Sequence, residues 1–245
     1  MQCLHGHVKP KLGRILLELP PMMKIQALIF DFDGLILDTE TPEFDVLQEI
    51  YAEYDAELSI EKWGQIIGGN GAVTFDPVAD LQRLTGRDIP RQPIFDRWRA
   101  KADALIGTNP ILPGVTALLD EAQHRGLKMV VASSSPHEWV DTHLTHLSLY
   151  DRFEHIICAD DVTRTKPSPD LFLLALSKLN VRADQAIVFE DSPNGVKAAN
   201  AAGIFVVAVP NPITSQLVFS GENLRLESLM QFSLNGQATE IGLIR

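Results

Sequence analysis

Short apolar runs along the chain alternate with longer segments whose apolar positions recur at helical spacing. The short runs are continuous, which is typical of strands that are buried on both faces of a parallel sheet. Glycine and proline mark the ends of the longer segments, as they do for helices. We therefore predict an α/β fold with a doubly wound parallel sheet. The predicted strands are 25–30, 127–132, 155–159, 185–189 and 204–209.

The segment between the first and second predicted strands is too long for an ordinary crossover, which needs only one helix. It contains "PEFDVLQEIYAEY", "DPVADLQRLTG" and "PIFDRWRAKADALIG", each with a helical pattern. We therefore predict an inserted α-helical cap domain at 41–109. The α/β core would then consist of 23–40 and 110–245.

Residues 1–22 precede the predicted core and include "GRILLELPPMM". Glu18 interrupts the short apolar stretch, which argues against a signal peptide. We expect these residues to be an extension that is not part of the fold.

Composition limits the classes of partner. A chain of 245 residues with 45% hydrophobic residues can form a large core. The net charge of −11 argues against nucleic acid or an anionic membrane as the main partner. Cys3 and Cys158 do not form a disulfide framework, and their number suits a reduced cytoplasm. No apolar run approaches the ~18 residues that span a bilayer. We expect a cytoplasmic monomer.

Polar side chains follow four of the five predicted strands. Because ligands in open α/β sheets lie beyond the carboxyl ends of the strands, we expect these side chains to meet at one edge. In chain order they are Asp31, then Ser133, Ser134 and Ser135, then Lys166, then Glu190 and Asp191.

Asp31 and Asp33 stand two positions apart in "DFDGLILDTE". Two carboxylates about 5 Å apart repel by roughly 3 kcal/mol at a dielectric near 20, which a purely structural strand end would not offset. Mg²⁺ between Asp31 and Asp191, together with Lys166, would keep Asp31 ionised for attack on phosphorus. Asp33 would protonate the leaving alkoxide and later activate water.

A phosphate dianion needs hydroxyl, backbone and ammonium donors. We assign Ser133, Ser134 and Lys166 to phosphate, and Ser135 to the cap of the helix that follows. His137 and Trp139 are interpreted as helix-face packing, and Trp63 and Trp98 as cap core. The segment "IIGGNG" at 66–71 is either a substrate-facing cap loop or a hinge.

The segments "DFDGLILDTE", "VVASSS", "TKPSPD" and "VFEDSPNGVKAANAAG" resemble, in this order, the four motifs of the haloacid dehalogenase (HAD) superfamily. The likeness covers 24–211 and is strongest to the β-phosphoglucomutase-like phosphatases with a helical cap. It implies a Rossmann-like core, with Asp31 as nucleophile, Asp33 as acid/base, and Ser133 and Lys166 at the phosphate. The Mg²⁺ ligands it implies are the side chains of Asp31 and Asp191 and the backbone carbonyl of Asp33, with Glu190 in or just behind the metal shell.

The resemblance implies a Mg²⁺-dependent phosphatase that acts on a small phosphorylated metabolite such as a sugar phosphate. A β-phosphoglucomutase-type mutase is the main alternative. The mutases carry a cap histidine where this chain has Glu43, and an arginine after the cap glycine loop, where this chain reads "GGNGAVTF" without a base. Both departures favour the phosphatase. A non-catalytic binding module should have lost Asp31 or Lys166, and Asp33 disfavours a dehalogenase.

Overall fold

The computed structural model describes residues 25–69 and 75–234, and the predicted extension at 1–22 lies outside these ranges. The described residues contain one parallel six-stranded sheet. Its strands are β1 (Ala27–Phe30), β2 (Lys128–Ala132), β3 (His155–Ile157), β4 (Ala186–Glu190), β5 (Phe205–Ala208) and β6 (Leu224–Arg225). The order β3-β2-β1-β4-β5-β6 is that of a doubly wound Rossmann-like sheet, as predicted.

All five predicted strands are present, each ending within two residues of the predicted bounds. The sixth strand, β6, was not predicted. It has only two residues and pairs at the sheet edge with the end of β5. A strand this short carries no readable periodicity.

Eight α-helices lie in the described ranges. The first four, α1 to α4, come directly after β1, and we call these four helices the helical insert. The helices are α1 (Glu40–Glu53), α2 (Ile60–Trp63), α3 (Pro77–Thr85), α4 (Arg91–Ile106), α5 (Val115–His124), α6 (His137–His146), α7 (Asp170–Leu179) and α8 (Pro193–Ala201). None of the helices in these ranges is long and apolar enough to cross a bilayer.

Alternate residues of the strands pack on opposite faces of the sheet. In β1, Leu28 and Phe30 join one apolar cluster with residues of α5 and α6, whereas Ala27 and Ile29 join another with residues of α7 and α8. All four side chains are fully buried. Helices therefore cover both faces, which explains why the strands read as continuous apolar runs.

The helical insert packs through its aromatic residues. The rings of Trp63 and Trp98 meet edge to face with centroids 6.0 Å apart, and both side chains are buried. The indole Nε1 of Trp98 donates to the carbonyl oxygen of Glu43 at 3.1 Å, which ties α4 to α1. The prediction that these two tryptophans form the core of the insert is confirmed.

Two leucines of α7 allow a matched test of the core beneath the sheet. Leu171 is fully buried, whereas Leu173 is 48% exposed. We expect Leu171→Ala to lower the free energy of unfolding by about 2–5 kcal/mol, because it removes buried methyl groups and leaves a cavity. Leu173→Ala should change it by less than about 0.5 kcal/mol. Urea denaturation measures both values, and equal losses would contradict this packing.

Candidate active site

The carboxyl ends of β1 and β4 bring three acidic side chains together. Asp31 follows β1, Glu190 ends β4, and Asp191 follows it, and the two strands are neighbours in the sheet. One carboxylate oxygen from each residue lies within 4.8 Å of the others, and all three residues are buried. The sequence predicted this meeting, because the carboxyl ends of parallel strands share one edge.

Lys166 lies beneath these acids, and its side chain is fully buried. Its Nζ lies 2.6 Å from Asp31 Oδ1 and 2.6 Å from Glu190 Oε1. Burial alone would lower the pKa of the Lys166 ammonium, but the two carboxylates reverse this effect and raise it. Lys166 is therefore a permanent positive charge under the acidic edge.

The three acids carry more negative charge than Lys166 compensates. Burial and the neighbouring Glu190 raise the pKa of Asp31 to about 7, although Lys166 opposes the rise. Burial and Asp31 raise the pKa of Asp191 well above its ordinary value. Three ionised carboxylates beside one ammonium leave an excess of two negative charges, which is the charge that one divalent cation would balance.

The donor atoms also fit a hard divalent cation. Asp191 Oδ2 accepts from Asn211 Nδ2 at 2.8 Å, whereas the buried Asp191 Oδ1 has no hydrogen-bond partner among the described residues. Native proteins rarely leave a buried carboxylate oxygen unpaired, so such an atom points to an ion. Mg²⁺ prefers a few carboxylates with water. Asp31, Glu190 and Asp191 therefore suit Mg²⁺.

Two glycines allow the backbone to approach these acids closely. Gly34 has φ +74°, and a Cβ there would lie 2.4 Å from Asp191 Oδ2. A Cβ at Gly195 in α8 would lie 1.8 Å from the carboxyl carbon of Glu190. No larger residue fits either position without displacing an acidic side chain.

Asp33 lines the same cavity as Asp31, and donors from the segment after β2 hold its carboxylate. Its Oδ2 accepts from Ser135 Oγ at 2.6 Å and from Ser133 Oγ at 3.3 Å. Its Oδ1 accepts from the indole Nε1 of Trp139 at 2.8 Å. Three donors from one segment therefore set the orientation of the Asp33 carboxylate.

Two predictions about this segment were wrong. Ser135 does not cap α6, because its hydroxyl binds Asp33, and Pro136 occupies the cap position without a side-chain bond. Trp139 is not only a packing residue, because its indole also binds Asp33. One signal could have found it: α6 follows β2, so its first turn begins at the edge where ligands bind.

Ser133 and Ser134 both lie at this edge. The buried Ser133 Oγ accepts from the backbone N–H of Ser135 at 3.0 Å. Ser134 Oγ donates to the carbonyl of Gly68 in the glycine-rich loop at 3.0 Å. That loop is described as far as Gly69, and Asn70 and Gly71 lie outside the described residues. The phosphate-binding role of the two serines stays a prediction.

A cavity of about 330 Å³ opens above the acidic edge, between the sheet and the helical insert. All three tryptophans of the chain, Trp63, Trp98 and Trp139, line it. The loop segment 66–69 lines it as well, which favours the substrate-facing interpretation of that loop. The charged residues that line it are Asp31, Asp33, Glu40, Glu43 and Arg99.

Arg99 is the basic residue on the wall of this cavity within the described ranges, and the sequence did not reveal it. Its Nη1 donates to Glu43 Oε1, and its Nη2 donates to Asp103 Oδ1 at 2.8 Å. Its guanidinium carbon lies 5.3 Å from the ring centroid of Trp139. Burial raises the pKa of Glu43 to about 7, although Arg99 opposes the rise.

Comparison with known proteins identifies the family of this chain. The family described as haloacid dehalogenase-like hydrolase matches residues 28–209. YhcW of Bacillus subtilis (strain 168), which is named as a phosphatase, is 43% identical over 210 residues, covering 86% of this chain and 94% of that protein. The fructose-1-phosphate phosphatase YqaB of Escherichia coli (strain K12) is 32% identical over 184 residues, covering 75% of this chain and 95% of that protein.

A solved structure shares the fold. CbbY from Rhodobacter sphaeroides, determined in complex with xylulose-(1,5)bisphosphate, superposes with a TM-score of 0.65 at 26% identity. The match covers 84% of this chain and 95% of that chain.

The excess negative charge predicts how Mg²⁺ and Asp191 affect stability. Without metal, we expect Asp191→Asn to be more stable than wild type, because it relieves repulsion among buried carboxylates. Mg²⁺ at about a hundred times its Kd should stabilise wild type by about 2.7 kcal/mol and should have little effect on the variant. Thermal unfolding of both proteins with and without Mg²⁺ measures this change in their relative stability.

Asp184→Asn is the matched control, because Asp184 is 62% exposed, pairs with Arg182 and precedes the amino end of β4, whereas Glu190 and Asp191 lie at its carboxyl end. It should respond to Mg²⁺ as wild type does. An Asp191→Asn protein that gains as much stability from Mg²⁺ as wild type would contradict the assigned ligands.

Proposed function

Because this chain belongs to the haloacid dehalogenase-like hydrolase family, we propose that it is a Mg²⁺-dependent phosphatase acting on a small phosphorylated metabolite, specifically a sugar phosphate. The reaction would pass through an aspartyl phosphate on Asp31. The observation that carries the proposal is the buried contact between Asp31 and Lys166, set beside two further acids below a cavity of about 330 Å³. In this proposal 41–109 form the cap, and 23–40 with 110–245 form the core.

Asp31 is the proposed nucleophile. Lys166 binds its Oδ1, so we assign the attack on phosphorus to Oδ2. The new Oδ2–P bond forms as the bond between phosphorus and the ester oxygen breaks. Asp33 donates a proton to the departing alkoxide, which leaves as an alcohol.

Water completes the reaction. Asp33, now a carboxylate, takes a proton from a water molecule as that water attacks the phosphorus of the aspartyl phosphate. The bond between phosphorus and Asp31 Oδ2 breaks, which releases inorganic phosphate and restores the Asp31 carboxylate. The three donors on Asp33 hold this group in one orientation between its two proton transfers.

Asp31, Glu190 and Asp191 would hold the metal ion, together with the backbone carbonyl of Asp33 that the resemblance implies. Mg²⁺ bound there supplies positive charge that reduces repulsion between the phosphate and the carboxylates. Ser133, Ser134 and Lys166 are the proposed phosphate donors. Ser134 would exchange its contact with the Gly68 carbonyl for a phosphate oxygen.

The relatives support a sugar phosphate as the substrate class. YqaB is named for fructose 1-phosphate, and CbbY was determined with a sugar bisphosphate. The mutase alternative receives less support, because a mutase must also hold a second phosphate. Arg99, the basic residue on the cavity wall, is already paired with Glu43.

A substrate screen with Asp31→Asn tests the proposal. We expect phosphate release from sugar monophosphates with Mg²⁺, loss of that release on addition of EDTA, and a fall of at least about a thousandfold in kcat for Asp31→Asn, because the nucleophile is lost. Release of free phosphate separates hydrolysis from transfer. Turnover of phosphoesters by Asp31→Asn at the wild-type rate would overturn the proposal.

Trp139→Phe tests how Asp33 is held, because it removes the indole N–H and keeps an aromatic ring. We expect kcat/KM for a sugar phosphate to fall by about tenfold or more, since a misplaced acid cannot protonate a poor leaving group. The value of kcat/KM for p-nitrophenyl phosphate, whose leaving group needs no proton, should fall by less than about threefold, because kcat/KM does not include the later hydrolysis of the aspartyl phosphate.

Trp98→Phe is the matched control for this variant. It removes another indole N–H from the same cavity, but that group binds the Glu43 carbonyl and not Asp33. Trp98→Phe should change kcat/KM for both substrates by similar factors. Equal losses for both substrates in Trp139→Phe would mean that Trp139 acts on structure alone.

A further inference from the structure

The part of the cavity away from Lys166 is built from tryptophan and glutamate. Glu40 and Glu43 of α1 contribute carboxylates to its wall, and the three indoles contribute flat apolar surfaces. The indole Nε1 of Trp63 is buried and has no hydrogen-bond partner among residues 25–69 and 75–234. Indole faces, carboxylate acceptors and a free N–H donor are groups that suit a ligand rich in hydroxyls and C–H bonds.

Arg99 would be the natural anchor for a second anionic group, but both of its terminal nitrogens are already engaged. Nη1 donates to Glu43, and Nη2 donates to Asp103 at 2.8 Å. Its guanidinium also lies over the rings of Trp98 and Trp139, with its central carbon 5.9 Å and 5.3 Å from their centroids. A phosphate recognised by arginine normally takes two parallel N–H donors from one guanidinium.

Packing and hydrogen bonds hold Glu43 in place beside Arg99. Its side chain is 15% exposed, and its backbone carbonyl accepts from Trp98 Nε1 at 3.1 Å. A second phosphate that displaced Glu43 from Arg99 would leave a largely buried carboxylate unpaired beside a dianion. Such an arrangement is costly, because it adds a desolvated charge to like-charge repulsion.

We propose that Glu43 is a specificity-determining residue that, by occupying Arg99, selects phosphate monoesters of uncharged polyols and excludes substrates with a second phosphate. This inference rests on the proposed function, whose core chemistry it leaves unchanged. Glu43 accepts hydrogen bonds from hydroxyl groups of the leaving alcohol, and its carboxylate repels a distal anion.

Fructose 1-phosphate and fructose 1,6-bisphosphate test the proposal, because they differ by one phosphate on one sugar. The measurement is the Ki of each against hydrolysis of p-nitrophenyl phosphate. A sugar that is turned over acts as a competitive inhibitor with a Ki equal to its KM, and one that is not turned over has a Ki equal to its Kd, so Ki compares how well the two sugars compete for the site. The assay is run with Mg²⁺ at pH 8, above the pKa of Glu43, so that this carboxylate is ionised.

Wild type should bind the monophosphate at least about tenfold more tightly than the bisphosphate. Glu43→Gln should shift this ratio toward the bisphosphate by at least about tenfold, because it frees the guanidinium and removes a negative charge. Adding Arg99→Met to Glu43→Gln should abolish the gain. Glu49→Gln is the matched control, since Glu49 lies on α1 with its side chain 60% exposed and pairs with Lys101. It should keep the ratio within about twofold.

The wild-type ratio provides a test that does not depend on the folding of Glu43→Gln. Equal Ki values in wild type, or an unchanged ratio in folded Glu43→Gln, would overturn the proposal. Failure of the proposed function is distinguishable, because wild type would then not release phosphate from p-nitrophenyl phosphate in an Asp31-dependent way.

Discussion

The contact of one buried ammonium with two buried carboxylates is the constraint on which this site depends. Lys166 reaches Asp31 and Glu190 at 2.6 Å each, and so joins the loop after β3 to the ends of β1 and β4. Removing one partner of such a cluster leaves an uncompensated buried charge, which is strongly destabilising. When all three carboxylates are ionised, the same cluster has excess negative charge, so its electrostatics favour a divalent cation. One arrangement of charges therefore underlies both the folding of the sheet edge and its fit to a metal ion.

The two aspartates of the first motif have different surroundings because they lie at different places on the chain. The backbone N–H of Asp31 still donates to the carbonyl of Phe189 in β4 at 3.0 Å, so its side chain is set by the sheet. Asp33 lies beyond the strand, where its carboxylate turns toward Ser135 and Trp139. One acid is thus held by a buried cation and the other by neutral donors. Two positions of chain are enough to give the proposed nucleophile and the proposed acid/base different surroundings.

The sequence was enough to predict the fold and the acidic edge of the sheet. It was not enough to predict the residues that contact and orient the acidic side chains. Continuous apolar runs revealed the five longer strands, and polar residues at their ends revealed Asp31, Lys166 and Asp191. Trp139 was not predicted because an aromatic residue on a helix usually packs, and Asn211 was not predicted because it follows the fifth strand, to which we assigned no polar function. Arg99 lies on α4, far along the chain from the site, and only tertiary packing brings it to the cavity wall. Local sequence patterns cannot predict such contacts, because helical periodicity shows which face of a helix is buried but not which residues pack against that face.

The cavity is lined by every tryptophan in the chain, so the tryptophan emission of this protein, excited at wavelengths that tyrosine does not absorb, arises wholly from residues on the cavity wall. No other tryptophan in the chain adds emission that a ligand in the cavity would leave unchanged. The three indoles also lie in different electrostatic surroundings, because one N–H binds a carboxylate, one binds a carbonyl and one has no partner among the described residues. A ligand entering the cavity would therefore alter the whole signal, and the unlabelled chain carries its own optical reporter of occupancy.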